Sequence, residues 1–527
     1  MPSLNLSRRS TAKTLPPSVG GLNDRDAITG MKPEYALQLD NFFPGTNDCS
    51  VRGGSSEHVN GLPAVAETLM GYNGPTSSSL FAVASGNIYD ITTAGAVGSA
   101  LVSGLSNSRW DFVNFGGAAG NFIASVNGFD LPRFYNGTSW TASGTGYATA
   151  ITGATASNFS QVNVWKNRLF FVEKNTLKCW YLGVQAIGGA ATAIDFSGVA
   201  KLGGKLIATA TVSSTAGNTP DDYFIAITSE GECLVYGGTD PASATTFAIV
   251  GNFRIGRPIA NGTDNMGGRF LVRIGNNTIA ITVDGFVNLA DALNSDVQAQ
   301  RTILNDMIVN SVSSEVTKYK GNFGWQAILA PNRNKLLINV PTSEGSKAHQ
   351  FVMNTITGAW TRFVGWNIVS MAYFNDELYG SIGTKIYKLD QPGTNDFTAT
   401  GVSGKPIEAY ARTAYHYFGG RNANKHFKMA RPLLFSASEL LPEINVDVDF
   451  ELSATLGSSE SLPATGALWG SAIWGTSLWA SGSSATREWL SVESIGYCAS
   501  LNMKLTVEAQ TASWQGYDII YETGGLI

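Results

Sequence analysis

The sequence predicts an all-β protein: a β-propeller that carries a helical insertion, followed by a C-terminal β-domain. Glycine numbers 59 of the 527 residues while charged residues make up only 14%, a mixture that is typical of many short strands joined by tight turns. Short β-prone runs that end in an aromatic residue and a turn recur along the chain at intervals suited to a four-stranded propeller blade. One region near residue 300 has helical periodicity instead.

The repeat is weak. Its seven copies include "NIYDITTAG", "CWYLG" and "KIYKLD", and the intervals between their marker positions are 46, 46, 55, 49, 68 and 34 residues. WD40 and kelch units have about this length. We therefore expect a propeller of five to seven blades over residues 60–390, marked by Tyr89, Tyr135, Tyr181, Tyr236, Gly285, Met353 and Tyr387.

Other segments of this region read as partner strands of the same blades. Apolar and polar residues alternate in "GNFIASVNG" and "DYFIAITSEGECLVY", as in half-buried strands. Turn residues at 229–231 and 275–277 predict antiparallel hairpins. Trp140 and Trp360 each follow an Asn turn, which resembles the kelch habit of burying a ring between neighbouring blades.

The longest interval contains the helical insertion, which we place at about 289–316. One apolar stripe contains Leu289, Leu293 and Val297, and a second has a spacing of four residues. Two interpretations stay open: the helix covers a blade edge, or it projects towards a neighbouring subunit. The second stripe consists of Leu304, Ile308, Val312 and Val316.

Two further segments flank the propeller. Residues 1–59 form an N-terminal arm and entry segment, and residues 391–527 form a C-terminal β-domain in which "EINVDVDFEL" is a clean alternating strand. Between the strands of that domain, "LWGSAIWGTSLW" places Trp469, Trp474 and Trp479 five residues apart. A spacing of five matches neither a helix nor a strand, so we expect these rings on successive turns.

Charge and residue spacing argue against several functions. The formal net charge is −5, whereas a protein that grips DNA normally has a basic excess. The four cysteines and four histidines lack zinc or redox spacing, and we expect four buried thiols in a reducing cytosol. We expect no signal peptide and no membrane span.

Catalytic chemistry has no clear candidate in the sequence. The paired carboxylates Asp221–Asp222 and Asp447–Asp449 are compatible with glycosidase chemistry, but a turn and an outward strand edge explain them more simply. The glycines of "GGRF" lack the strand-to-helix context of a phosphate loop. We predict no enzyme, and no catalytic, cofactor-binding or metal-binding residue.

The N-terminal stretch "GGLNDRDAITGMKPEYALQLDNFFPGTNDCSVRGG" resembles the opening of tail nozzle proteins of short-tailed bacteriophages, also called tail hub or packaged-DNA stabilisation proteins. The segments "ITSEGECLVYGGTDPASATTFAIVGNFRIGRP", "VMNTITGAWTRFVGWN" and "LWGSAIWGTSLW" are similar to this group too, so the resemblance covers residues 20–527. The matching positions of the opening are Gly21, Leu22, Asn23, Asp26, Ala36, Leu39, Asn41, Pro44, Arg52 and Gly54.

The resemblance implies a structural virion protein assembled in the host cytoplasm. Such a subunit forms a hexameric ring below the portal and the adaptor, or head-to-tail connector, and closes the end of the tail. It retains packaged double-stranded DNA, passes it without sequence specificity during ejection, and adjoins tail fibres or a tail needle. Asn41, Pro44, Arg52 and the three tryptophans are then candidate interface or packing residues.

The alternative is a β-propeller that binds or degrades glycans, in which exposed tryptophans stack on sugar rings. It predicts an acidic pocket and a monomer or small oligomer, whereas a nozzle predicts rings. Because aromatic anchors are favoured at protein interfaces, we assign Trp469, Trp474 and Trp479 to contacts within the C-terminal domain or to an adjacent subunit, with a distal or luminal surface as the other interpretation.

Overall fold

The computed structural model describes residues 10–214, 221–243, 245–259, 267–290, 304–452, 456, 460–461, 484–486 and 488–526. The chain divides into two compact units. We call His58–His349 with Gly365–Tyr387 the propeller unit, and Met1–Glu57 with Gln350–Val364 and Lys388–Ile527 the sandwich unit. The N-terminal segment thus shares a unit with the C-terminal β-region, whereas the sequence suggested a separate arm.

Six strands precede the first sheet of the propeller unit. They are β1 (Ser10–Leu15), β2 (Gly21–Leu22), β3 (Tyr35–Asp40), β4 (Phe42–Pro44), β5 (Cys49–Val51) and β6 (Gly54–Asn60).

The next strands follow the chain through four successive sheets. The first sheet has β7 (Thr68–Asn73), β8 (Ser78–Ala84) and β9 (Asn87–Asp90), followed by the short β10 (Gly95–Ala96). The second has β11 (Asp111–Gly117), β12 (Gly120–Val126), β13 (Arg133–Tyr135) and β14 (Trp140–Ala142), followed by β15 (Ile151–Thr152). The third has β16 (Phe159–Trp165), β17 (Arg168–Glu173), β18 (Lys178–Tyr181) and β20 (Thr192–Asp195), with β19 (Gly189–Ala190) paired to β15. The fourth has β21 (Leu206–Ser214), β22 (Asp221–Thr228), β23 (Glu232–Gly238) and β24 (Phe247–Arg254).

Three more sheets complete the series. The fifth has β25 (Leu271–Ile274), β26 (Asn277–Thr282) and β27 (Gly285–Asn288), and helix α1 (Val309–Tyr319) follows it. The sixth begins with β28 (Gln326–Ala330) and β29 (Lys335–Ser343), after which the chain forms β30 (Lys347–Asn354) and β31 (Trp360–Phe363). The seventh has β32 (Ser370–Phe374), β33 (Glu377–Ile382) and β34 (Lys385–Gln391).

The seven sheets of the propeller unit form a closed ring. Their first strands contact one another in order, β7 to β11 to β16 to β21, then β25 to β28 to β32, and β32 returns to β7; β21 meets the fifth sheet at β26. The unit is therefore a seven-bladed β-propeller. Six of the seven repeat markers, Met353 excepted, lie on the third strand of a sheet of the propeller unit, so the weak repeat predicted these blades. Met353 lies on β30, in a segment that belongs to the sandwich unit.

Apolar packing between adjacent sheets stabilises the ring. One core joins Phe81 of the first sheet to Ile123 and Tyr135 of the second. Trp140 is half-buried and packs against this core, with its ring centroid 5.2 Å from that of Phe81, as the kelch-like pattern predicted. Trp360 is fully buried and lies on β31 in the sandwich unit. Similar cores lie between the second and third sheets and between the third and fourth.

Helix α1 lies on the propeller unit itself. Val312 and Val316 of the second predicted stripe are buried on this helix, and Ile308, just before it, is buried too. The helix contacts β27 and β29. The Nε2 of His349 lies 2.8 Å from the Oε2 of Glu315 and ties the helix to the start of β30. This face therefore covers strands of its own unit. The first predicted stripe falls largely on residues outside the described ranges.

The sandwich unit contains two large sheets over one core and a small third sheet. Its later strands are β35 (Ile407–Thr413), β36 (Ala423–Ser436), β37 (Leu440–Leu441), β38 (Glu443–Val448), β39 (Glu460–Ser461), β40 (Ser484–Thr486), β41 (Leu490–Gly496), β42 (Ala499–Val507) and β43 (Ala512–Leu526). One sheet has the order β4-β5-β43-β36-β40, with β1 on β43 and β41 on β36. The other runs β31-β2-β3-β35-β42-β38, and the short strands β37 and β39 pair in the small sheet. Leu39, Leu501, Phe427 and Trp514 pack together between the two large sheets, as in a β-sandwich.

Candidate functional site

The centre of the propeller ring is occupied by a three-residue segment, Gly267–Arg269, which we call the hub. The hub leads into β25 of the fifth sheet. Gly267 lies against the third and fourth sheets, since a Cβ on it would be 2.6 Å from the Cβ of Gln161 and from the carbonyl oxygen of Ile207. Only glycine allows the backbone to approach this closely.

Gly268 makes the contact with the second sheet. Its φ is +71°, and a Cβ at this position would overlap the Asp111 Oδ1. Two independent features, a left-handed backbone and a missing side chain, therefore favour glycine here. The glycines of "GGRF" are ring-centre residues, which is consistent with the sequence argument against a phosphate loop.

Arg269 connects the hub to the remaining sheets. Its Nη1 donates to the Glu67 carbonyl oxygen at 2.8 Å, at the entry to the first sheet. Its Nη2 donates to Gln326 Oε1 at 3.1 Å in the sixth sheet and to the Val369 carbonyl oxygen at 3.4 Å, just before the seventh. Burial lowers the pKa of Arg269 to about 10. The hub thus touches or joins all seven sheets.

Asp111 faces the hub from the second sheet. Its Oδ2 accepts a hydrogen bond at 2.9 Å from the backbone N–H of Val162 in the third sheet, and its Oδ1 sits against Gly268. Burial raises the pKa of Asp111 to about 7, although the Val162 hydrogen bond and the Arg269 charge oppose the shift. This carboxyl group therefore titrates near neutral pH.

A second arginine extends the charge cluster. Arg109 lies 3.1 Å from Glu67 and 2.7 Å from Glu344 in ion pairs. The guanidinium carbons of Arg109 and Arg269 lie 4.0 and 4.6 Å from the ring centroid of Phe323. Both distances are within cation–π range. The ring centre therefore holds two guanidinium groups near three carboxyl groups.

Side-chain amides add further links between neighbouring sheets. Asn114 donates to the Gly71 carbonyl oxygen at 2.9 Å and accepts from the Asn73 N–H at 3.1 Å. Gln161 likewise binds both backbone groups of Thr209, and Gln326 binds those of Met371. Each amide replaces the peptide group of an adjacent strand. The arrangement holds first strands in register around the ring.

Asn41 and Arg52, two of the predicted packing residues, meet inside the sandwich unit. Both are buried, with exposed fractions of 3%. Asn41 has a φ of +59°, its Oδ1 accepts from Arg52 Nε at 2.9 Å and from the Val364 N–H at 2.8 Å, and its Nδ2 donates to the Glu408 carbonyl oxygen. Asn tolerates this left-handed conformation better than most residues.

Arg52 uses all five of its N–H donors. Besides the bond from Nε to Asn41, it forms two hydrogen bonds with Asp396, at 2.8 and 2.6 Å. The remaining two go to the carbonyl oxygens of Gly53 and Val364. A fully satisfied, bidentate guanidinium–carboxylate pair is a rigid structural element.

Pro44, Trp469, Trp474 and Trp479 complete the predicted set. Pro44 is buried at the end of β4, and its carbonyl oxygen accepts a hydrogen bond at 2.9 Å from Asn354 Nδ2. The three tryptophans lie outside the described residues. The structure thus brings Asn41 and Arg52 together and places Pro44 in the same unit.

The carboxylates considered for catalysis have structural partners. Asp222 accepts a hydrogen bond from Ser213 Oγ. Asp447 is buried, and its Oδ2 lies 3.0 Å from Arg412 Nε. Asp449 accepts from the backbone N–H groups of Tyr497 and Cys498, at 2.7 and 3.2 Å. The side chain of Asp221 lies outside the described part of the structure.

His416 and the four cysteines are likewise held in structural environments. The Nδ1 of His416 accepts from the Phe418 N–H at 2.8 Å, and burial lowers the pKa of His416 to about 4, helped by Lys13 and Lys425. All four cysteines are free and buried, as predicted. Burial raises the pKa of each thiol. Within the described ranges, no three His, Cys, Asp or Glu side chains are grouped to hold a metal ion.

Sequence reasoning did not identify the charged residues of the ring centre. Glu67, Arg109, Asp111 and Arg269 stand at or just before the first strand of a sheet, a position that the repeat could have marked. Their partners are distant along the chain, because Arg269 is 202 residues from Glu67. Pairing over such separations is set by the closed ring.

Comparisons with known proteins provide no family assignment. No protein-family model matches the chain, and no curated protein matches it. A crystal structure of BBS1N in complex with ARL6DN, soaked with mercury, is 10% identical, with a TM-score of 0.40, and covers 66% of this chain and 100% of its own. The extracellular domain of the putative hybrid two-component system BT3049 from B. thetaiotaomicron is 11% identical, with a TM-score of 0.38, over 62% of this chain and 39% of its own.

At these TM-scores, neither likeness carries an argument about fold or function, and the propeller assignment rests on the closed ring of sheets described above. The helices in the described part of the chain include none with the length and apolar character needed to cross a membrane.

Proposed function

We propose that the chain is a structural virion protein that forms the ring-shaped nozzle, or hub, of a short phage tail. The observation that carries this proposal concerns the segment with the strongest resemblance to that group. Within it, Asn41 and Arg52 form one buried hydrogen-bonded cluster, and Pro44 anchors Asn354. These residues of the resembling segment thus serve as packing residues within their own unit, which supports a structural role.

The use of charge in both units supports a structural role. The buried pair of Arg52 and Asp396 and the ring-centre pairs of Arg109 all connect segments that are far apart in sequence. Removing one partner of a buried pair is strongly destabilising, so the pair of Arg52 and Asp396 holds its two segments together. A subunit that must keep its shape while DNA under pressure is held and released would benefit from such restraints.

The net charge of −5 also suits a DNA conduit. A lumen lined with lysine and arginine would bind phosphates tightly and would slow the passage of DNA, because each neutralised phosphate adds to the affinity. We propose that the assembled lumen is neutral or acidic. A cryo-EM map of the assembled ring that showed a continuous basic lining would contradict this part of the proposal.

The direct test is the mass of the purified chain by native mass spectrometry, together with negative-stain images. The chain is measured alone and mixed with the adaptor protein of the same phage. We expect hexameric rings in at least the mixture. The variant Asp222→Asn, at a partly exposed position of β22, is purified and measured in parallel as a control and should form the same oligomers.

The glycan-directed alternative makes the opposite prediction. It requires monomers or small oligomers with and without the adaptor, together with binding or hydrolysis of a bacterial surface polysaccharide. Persistent monomers that release reducing sugar would overturn the nozzle proposal. Rings that leave polysaccharide intact would overturn the alternative.

A further inference from the structure

The ring centre contains one acidic group that differs from all other charges near it. Glu67 and Glu344 each pair directly with Arg109. Arg269 donates to two backbone carbonyls and a glutamine side chain. Asp111, in contrast, accepts one hydrogen bond among the described residues, from the Val162 N–H. Its ionised form is thus poorly compensated.

The position of Asp111 gives this weak compensation a structural consequence. Its carboxyl group contacts three sheets, because it belongs to the second, accepts from the third, and lies against Gly268 at the entry to the fifth. Gly268 is the middle residue of the hub, whose next residue, Arg269, bonds to segments of the first, sixth and seventh sheets. A change at this carboxyl is therefore transmitted to the hub directly.

From this geometry we infer that the hub is a proton-operated latch, closed when Asp111 is protonated and loosened when Asp111 ionises. The neutral carboxyl group needs little solvation and fits against the Gly268 backbone. The carboxylate needs hydrogen-bond donors or water, and among the described residues the Val162 N–H is the one hydrogen-bond donor to Asp111.

The direction of the effect follows from the proton balance. Burial raises the pKa of Asp111 from 3.8 to about 7 in the closed hub. An opened hub returns the carboxyl to water and therefore to its ordinary pKa, so the open form binds protons more weakly. Closure is favoured below pH 7, and opening becomes easier as the pH rises.

The surrounding charges do not reverse this direction. Arg269 on the hub has a pKa of about 10 and stays cationic between pH 5.5 and 8.5. Glu67 and Glu344 pair with Arg109, and β16 carries no titratable side chain in "FSQVNVW". Asp111 is thus the group at this contact that changes its charge near neutral pH. The latch does not depend on the proposed function.

Hydrogen–deuterium exchange of full-length protein tests the latch. Peptides that cover the hub and β25 are followed between pH 5.5 and 8.5, with times corrected for the intrinsic pH dependence of exchange. For closed and open pKa values of about 7 and 3.8, the opening equilibrium should increase roughly thirtyfold over this range. Peptides from β35 in the sandwich unit provide the internal reference.

Two variants make the test specific. Asp111→Asn keeps the acceptor for the Val162 N–H but cannot ionise, so the hub peptides should stay protected and independent of pH. Asp222→Asn, the same substitution in the fourth sheet, should behave as the wild type. Equal pH dependence in wild type and Asp111→Asn would overturn the latch. So would hub peptides that exchange faster in Asp111→Asn at every pH, because the carboxylate would then be the closing form.

Discussion

Replacing Arg52 by Ala should lower the free energy of unfolding of the sandwich unit by about 3–5 kcal/mol. The side chain makes five hydrogen bonds, two of them to Asp396. At about 1 kcal/mol net for each bond, the loss is about 5 kcal/mol. The cost of leaving Asp396 buried without its partner is about 3–5 kcal/mol. These are two estimates of the same loss and are not added.

The assay should report on the sandwich unit alone, because a chain of two units does not unfold in one step. Cys49 is buried in the sandwich core, and its thiol reacts only when that core opens. Pulsed alkylation of Cys49 across a urea series, read by mass spectrometry, therefore gives the local unfolding midpoint. Arg25→Ala, which removes an exposed ion pair with Asp26, is the matched control and should leave this midpoint unchanged.

A second substitution separates the charge from the packing. Arg52→Met should be strongly destabilising alone, whereas Arg52→Met combined with Asp396→Leu should recover part of the loss, since no uncompensated charge remains. If Arg52→Ala lowered the local free energy of unfolding, obtained from the Cys49 alkylation curve, by less than about 1 kcal/mol, the five hydrogen bonds would not be a structural centre, and the reasoning would be refuted.

Three other outcomes follow from the structure. Gly268→Ala should destabilise the propeller unit by about 2 kcal/mol or more, since the new Cβ overlaps Asp111 and overpacking typically costs 1–3 kcal/mol. Gly275→Ala, at a position with a φ of +59° and open space, should cost less in the same urea series. Equal losses in the two variants would contradict the close packing of Gly268 against Asp111. His416 is held neutral by a pKa of about 4, so stability should fall as the pH drops from about 6.5 to 4. His416→Asn should reduce that fall. If the acid dependence of thermal stability were the same in this variant, His416 would not be the neutral buried group described above. All four thiols should resist a disulfide reagent in the native protein and react in urea; rapid native labelling would be inconsistent with their burial.

The sequence pattern along the chain was sufficient to predict the propeller blades. Six of the seven markers, Met353 excepted, lie on the third strand of a sheet of the propeller unit, because a strand, its aromatic residue and the following turn are local features. The apolar stripe of Ile308, Val312 and Val316 likewise predicted a buried helix face. The helix itself ends at Tyr319, three residues beyond the predicted insertion.

Which segments of the chain make up the sandwich unit could not be predicted from the local sequence pattern. Strand β3 pairs with β35, where Leu39 lies opposite Ala411, and β1 pairs with β43, where Ser10 lies opposite Glu522. No local signal specifies a partner so far along the chain, and the entry segment therefore looked like a separate arm. The hydrogen bonds of strand edges must be satisfied by whichever strand the fold brings next to them.

The sequence by itself determined the β-class, the repeat of the propeller, the helix after its fifth sheet and the burial of the four thiols, because periodicity and composition express which residues leave water. Only the tertiary structure decided that Arg52 meets Asp396 and that Gly267–Arg269 fills the ring centre. Those contacts join residues that closure of the sheets brings together, and buried charges select their partners by proximity in the fold and not by spacing in the chain.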